Sequence, residues 1–115
     1  MTNEKLLVAF FRSDTGVEPV RDWLKTLEQS DRRIIGEDIK TVQFGWLLGM
    51  PVVRKMAPGL WEVRSQLVSR IARILFTVEE GKMVLLHGFI KKTQKTPDQD
   101  LSLTQQRLAL LRRRK

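Results

Sequence analysis

The spacing of apolar residues changes along the chain, and each change marks an element. Leu6–Arg12 is nearly continuous in apolar character. Leu6, Val8 and Phe10 share one face of a strand and Leu7, Ala9 and Phe11 the other, so both faces are expected to be covered. Thr15-Gly16-Val17-Glu18 then has the spacing of a capping box, with Pro19 tolerated in the first turn. Val17, Val20, Leu24 and Leu27 recur at helical spacing beside Trp23, which predicts a first helix ending near Ser30. Ser30 is placed to cap a second helix with the stripe Ile35, Ile39, Val42 and Trp46, ended by Gly49 and Pro51. Trp23 and Trp46 read as packing between helix and sheet.

After Pro58-Gly59 the period becomes two. Leu60–Ser65 and Arg70–Val78 read as strands, Glu79-Glu80-Gly81-Lys82 as a hairpin turn, and Met83–Ile90 as a further strand. Pro97 sits at the first position of a last helix, Thr96 and Gln99 have capping-box spacing, and Leu101, Leu108 and Leu111 form its stripe. The closing Arg112-Arg113-Arg114-Lys115 either complements the helix C-terminus or frays as a basic tail. The predicted order is strand, helix, helix, three strands, helix. Segregation of this kind argues an α+β fold with helices on one face of a largely antiparallel sheet.

Register then sorts side chains by face. With Glu79–Lys82 as the hairpin loop, Ile74 opposes His87 and Arg73 opposes Gly88. With Gln66–Ser69 as a loop, Glu62 opposes Arg73. Glu62, Arg64, Arg73 and Gly88 are thereby expected on an open face, and Trp61, Val63, Ala72, Ile74, Phe76, Met83, Leu85, His87 and Phe89 on the core face. A glycine among arginines leaves room for a ligand to approach. A slip of one residue, or a bulge near Gly88, would exchange the two faces and bring His87 to the basic side.

The length of 115 residues suits one domain spanning 1–115. The absence of cysteine excludes disulfides, thiolate metal sites and a cysteine nucleophile, and a single histidine excludes most histidine metal sites. The apolar run at Leu6–Phe11 is too short for a membrane span and lacks a cleavage site, which points to the cytoplasm. The net charge of +8 is unevenly placed. Residues 1–50 hold seven Lys/Arg and eight Asp/Glu, a net of −1; residues 51–115 hold fourteen and five, a net of +9. Such segregation suits a polyanion, most naturally nucleic acid, although an acidic protein or an anionic membrane would also match the charge.

The densest positive charge lies in HGFIKKTQKTP (His87–Pro97). Lys91, Lys92 and Lys95 would sit where the last strand leaves the sheet, beside Arg64 and Arg73 on the open face. Arginine offers a planar fork to phosphate and lysine a mobile point charge. Arg54, Lys55 and Arg70 extend the patch, with Arg54-Lys55 read as part of the loop before the sheet. Taken singly, Arg64 reads as a salt-bridge partner of Glu62 or Glu37, and Arg73 as a solvated strand residue. His87 has two readings, a satisfied core residue or an acid–base group.

GLWEVR (Gly59–Arg64), RIARILF (Arg70–Phe76) and LLHGFIKKTQKTP (Leu85–Pro97) with the helix that follows resemble the HigB-like, phage-derived branch of the RelE/ParE toxin superfamily. The resemblance covers nearly the whole chain. It implies a RelE-like α+β fold and the toxin of a type II toxin–antitoxin pair, typically an mRNA endonuclease acting on ribosomes without a metal or other cofactor. The expected reaction is in-line attack of a ribose 2′-OH on the adjacent phosphate. On that basis Arg64 and Arg73 would take transition-state charge, Lys92 or Lys95 the proton, with His87 as a further candidate, while Lys91 grips the RNA backbone. Replacing Arg73 or Lys92 by Ala is then expected to stop cutting and leave the fold intact. The implied partner is an antitoxin with a helix-turn-helix domain. A ParE-type gyrase inhibitor and a non-enzymatic nucleic-acid-binding module are the alternatives.

Overall fold

The computed structural model describes residues 5–46, 53–91 and 97–114. Among them a short strand, β1 (Leu7–Phe10), leads into two helices, α1 (Pro19–Lys25) and α2 (Gln29–Gly45). Next come β2 (Val53–Ala57), β3 (Leu60–Gln66), β4 (Ile71–Glu79) and β5 (Lys82–Lys91), followed by α3 (Asp98–Arg113). They form a five-stranded sheet in the order β1-β5-β4-β3-β2, antiparallel except where β1 runs parallel to β5. This is the mixed α+β arrangement expected of a RelE-like fold. Among the described residues no helix is long and apolar enough to cross a membrane.

The two faces of the sheet carry separate cores. Ile35, Ile39 and Val42 of α2 and Val20 of α1 pack on Val63, Ala72, Ile74, Phe76, Met83 and Leu85. Trp46 stands edge-on to Trp61 with ring centroids 5.0 Å apart, and to Phe76 at 5.8 Å, so it is a packing residue as its sequence context indicates. On the opposite face Leu108 is buried with Phe11, Leu60, Leu75, Val84 and Leu86, and Leu101 and Leu111 pack beside it. The expectation of helices on one face is therefore corrected: α3 covers part of the second face, because its leucine stripe needs an apolar surface and the sheet offers one there.

Several local expectations also change. The segment carrying Arg54 and Lys55 is strand β2, not a loop; it pairs with β3 and carries a bulge between Lys55 and Ala57. A run as polar as VRKMA has too little alternation to announce a strand at the sheet edge. Glu18 takes the N-cap position of α1 without a side-chain cap bond, and the Thr15 hydroxyl instead meets that of Ser13 at 3.0 Å. Ser30 lies inside α2, whose N-cap is Glu28, and α2 ends at Gly45. Gly49, Pro51 and Thr96 lie outside the described residues. Of the C-terminal basic run, Arg114 is engaged: it donates to the Arg12 carbonyl and to Asp14, each at 2.8 Å, and lies over the Phe11 ring.

The hairpin β4–β5 turns through Glu80 (φ 52°) and Gly81 (φ 76°), two left-handed residues that match the twist of the strands. Val78 faces Met83 as the sequence predicts, and Phe76 faces Leu85. The register then shifts by one, so that Leu75 faces His87 and Ile74 faces Gly88. Leu86 is the extra residue of a β-bulge. The bulge exchanges the faces of everything beyond it on β5. Gly88 lies on the helix side, where a Cβ would stand 2.5 Å from the Trp23 ring. Its lack of a side chain serves the packing of α1 and not a ligand, which corrects its expected place beside Arg73.

Two glycines give a matched test of this geometry. Gly88→Ala forces the indole of Trp23 aside and is expected to lower stability by about 1–3 kcal/mol. Gly36 lies on the exposed face of α2, and a methyl added there would meet nothing within 4 Å. Gly36→Ala is therefore expected to raise stability by about 0.5–1 kcal/mol. Urea unfolding midpoints of the two variants measure both effects.

Candidate functional site

Register places the charged residues of the second face in rows. Arg54, Glu62, Leu75 and His87 are successive partners across β2, β3, β4 and β5. The next row holds Arg64, Arg73 and Phe89, and the one after it Gln66, Ile71 and Lys91. Rows on one face lie two residues apart, about 7 Å. Arg54 and Arg64 are exposed, and Lys91 is partly exposed at the end of β5. Lys55 pairs with Trp61 and belongs to the other face. Lys92 and Lys95 lie outside the described residues.

Arg73 does not stand on an open face. It is fully buried, and its Nη1 donates to Glu62 Oε1 at 2.5 Å with both side chains sealed from solvent. Glu62 thus pairs with Arg73, and not with Arg64 as the salt-bridge reading had it. The expected pairing of Glu62 opposite Arg73 is also corrected: Glu62 opposes Leu75, and Arg73 opposes Arg64. The turn between β3 and β4 closes with Leu67 N–H donating to the Arg70 carbonyl, which shifts the register by two residues and keeps each residue on its face. Nε and Nη2 of Arg73 have no hydrogen-bond partner among the described residues. Arg70 is turned elsewhere: its guanidinium holds Asp31, in the first turn of α2, at 2.8 Å.

His87 is corrected in the other direction. The bulge brings it off the helix-packed core face and under α3. There Nε2 meets Asp100 Oδ1 at 2.6 Å, and Arg107 Nη1 lies 3.2 Å from Nδ1. Arg107 also donates to the carbonyl of Leu86, the bulged residue, at 2.8 Å. The imidazole stacks on Phe89 with centroids 5.6 Å apart and planes 23° apart. Asp100 occupies the first turn of α3 and Arg107 lies two turns further along. Burial lowers the Arg107 pKa from its ordinary value. A guanidinium nevertheless stays protonated, so it remains a donor.

Sequence reasoning missed Asp100 and Arg107. Their spacing of seven residues places them on one side of a helix, but nothing in the sequence says that this side meets His87. The arrangement joins an acid–base group to a carboxylate and one cation, on a face that also carries Arg54, Arg64 and Lys91. Among the described residues no three His, Asp or Glu side chains converge as a metal ligand set.

A bulged antiparallel sheet with two helices on one face and a third across the other, carrying a basic surface, defines the RelE-like class. Residues 22–109 match the family model "Phage derived protein Gp49-like (DUF891)", and the chain belongs to that family, which is of the RelE/HigB-like toxin type. A search of curated proteins finds no match.

The buried pair separates structural from functional effects at Arg73. Arg73→Ala leaves Glu62 without its guanidinium in the core and is expected to cost about 3–5 kcal/mol. It is therefore a poor test of catalysis, contrary to the expectation of an intact fold. Replacing both members together, Glu62→Leu with Arg73→Met, is expected to recover most of that loss. Denaturant unfolding of the single and double variants checks this; equal stability of Arg73→Ala and the parent would show that the pair contributes nothing.

Proposed function

We propose that residues 1–115 form one toxin domain of a type II toxin–antitoxin pair, and that it cuts mRNA on translating ribosomes without a metal. The observation that carries this reading is the shared face of His87, bonded to a carboxylate, the exposed Arg54 and Arg64, and the partly exposed Lys91. Membership of a toxin-type family supports it. The cations grip RNA phosphates and stabilise charge developing on the phosphorus. Lys92 follows directly on Lys91 in sequence and Lys95 comes three residues later, adding positive charge to the same segment. The partner is an antitoxin with a helix-turn-helix domain that covers the basic face, and the place of action is the cytoplasm.

In the reaction a base takes the proton of a ribose 2′-OH, and the 2′-oxygen bonds to the adjacent phosphorus as the bond to the 5′-oxygen breaks. The leaving oxygen takes a proton from water, and the resulting hydroxide recovers the proton held by the base. The products are a 2′,3′-cyclic phosphate and a 5′-hydroxyl end. His87 and the Lys92–Lys95 segment are the candidates for the base.

A second reading rests on one observation. His87 is 13% exposed and both ring nitrogens are engaged, which suits a surface that binds nucleic acid without cutting it. Induction of the protein without an antitoxin, followed by mapping of mRNA ends, separates the readings. Endonuclease action is expected to give new 5′-hydroxyl ends and translation arrest. Intact mRNA with salt-sensitive RNA binding favours the binding module, and intact mRNA with DNA damage signalling favours gyrase inhibition. In the endonuclease case His87→Gln is expected to slow cutting by about 100-fold or more. Arg64→Ala and Lys91→Ala are each expected to weaken RNA binding across sequences and to lower its salt-dependence slope by about 1.

A further inference from the structure

The contacts of His87 select between its tautomers. An arginine side chain carries donors only, so the approach of Arg107 Nη1 to Nδ1 at 3.2 Å requires a lone pair on Nδ1. The ring proton then sits on Nε2 and is donated to Asp100 Oδ1 at 2.6 Å. The carboxylate is thus placed to hold the tautomer and to stabilise an imidazolium if one forms. The guanidinium favours the same tautomer but occupies the only free lone pair of the ring. In this state the imidazole has its basic nitrogen covered.

Arg107 Nη1 is held by two neutral acceptors, the Leu86 carbonyl at 2.8 Å and Nδ1 at 3.2 Å, whereas a phosphate offers two short charge-assisted bonds in a plane that fits the fork. It projects from α3 onto the face that carries Arg64 and Lys91, where an RNA backbone would lie. Asp100 of α3 is the other charged group bonded to the ring; on the same sheet face Arg54 and Glu62 share the row of His87, Arg64 and Arg73 lie one row along, and Lys91 two rows along. Arg73 and Glu62 neutralise one another.

We infer that Arg107 is a displaceable cap on His87: an RNA phosphate draws the guanidinium away from Nδ1, and the uncovered lone pair takes the ribose 2′ proton while Asp100 holds Nε2–H. Arg107 is then a phosphate-binding residue whose resting place silences the base, and Asp100 is a positioning residue. This rests on the endonuclease reading for the fate of the proton. The displacement itself concerns RNA binding alone.

The chain has one histidine, so its imidazole nitrogen signals in a ¹⁵N-labelled sample are unambiguous. In the free protein the spectrum is expected to show Nε2 protonated and Nδ1 bare and hydrogen-bonded. A 2′-O-methyl oligoribonucleotide, which cannot be cut, is expected to shift the Nδ1 signal to that of a free lone pair. Arg107→Ala is expected to give the shifted signal without RNA, and added RNA then changes it no further. With the oligonucleotide bound, Asp100→Asn is expected to mix the two tautomers, and it is expected to slow single-turnover cutting about 100-fold, whereas Asp100→Glu restores a single tautomer and part of the rate. An Nδ1 signal unmoved at an oligonucleotide concentration that saturates fluorescence anisotropy overturns the inference, as does a failure of the oligonucleotide to bind. Loss of mRNA cutting in the unaltered protein with the Nδ1 shift retained overturns the endonuclease reading and leaves the displacement standing.

Discussion

One extra residue in β5 decides what both faces of the sheet can do. Up to Leu85 the β4–β5 ladder follows the register of its tight turn; past Leu86 every side chain is exchanged. Without the bulge Gly88 would face away from α1, and a side chain would stand where the Trp23 ring now lies. His87 would point into the helix-packed core, away from Asp100. The bulge also releases the Leu86 carbonyl from the ladder, and Arg107 takes it at 2.8 Å. Thus the same irregularity that seats Trp23 on one side gives α3 a polar anchor on the other.

The second constraint is electrostatic. The face under α3 has to be dry enough to bury Leu75, Leu86 and Leu108 and charged enough to present cations at its margin. The fold meets both demands by splitting its arginines by depth. Arg73, in the central strand, is sealed against Glu62, and its charge is neutralised inside the protein. Arg54 and Arg64, on strands nearer the edge, keep their guanidinium groups in solvent. Arg107 lies between these limits, half-buried and bonded to a ring nitrogen and a carbonyl. Positive charge counted along the sequence therefore overstates what is available to a ligand.

The elements with strong periodicity were legible. The stripe of α2, the alternation of β3, the β4–β5 turn and the leucines of α3 all appear where the apolar spacing puts them. Three things were not. β2 was not read as a strand because the adjacent Arg54 and Lys55 break the apolar alternation, and its place in the sheet comes from pairing with β3. The bulge leaves no mark, since LLHGF reads equally well in either register and the choice is made by Trp23, far away in sequence. For the site, the cationic residue types were evident from composition, and the possibility that a bulge near Gly88 would turn His87 was open in the register. Asp100 and Arg107 could not be found that way, because their role depends on how α3 crosses the sheet.

A small basic protein needs a way to hold a reactive group at rest. A histidine among free cations would be a poor base, since neighbouring positive charge opposes its protonation. Here one neighbour is a carboxylate at 2.6 Å, and the nearest cation is bonded at the nitrogen that would take the proton. On the proposed reading, moving that one guanidinium uncovers the Nδ1 lone pair. The mobile element can therefore be a single side chain on a rigid helix, while the sheet, the bulge and the buried Arg73–Glu62 pair stay fixed. The arginines are partitioned by depth accordingly: Arg73 is sealed with Glu62, while the half-buried Arg107, the group proposed to respond to phosphate, is held by the Leu86 carbonyl and Nδ1.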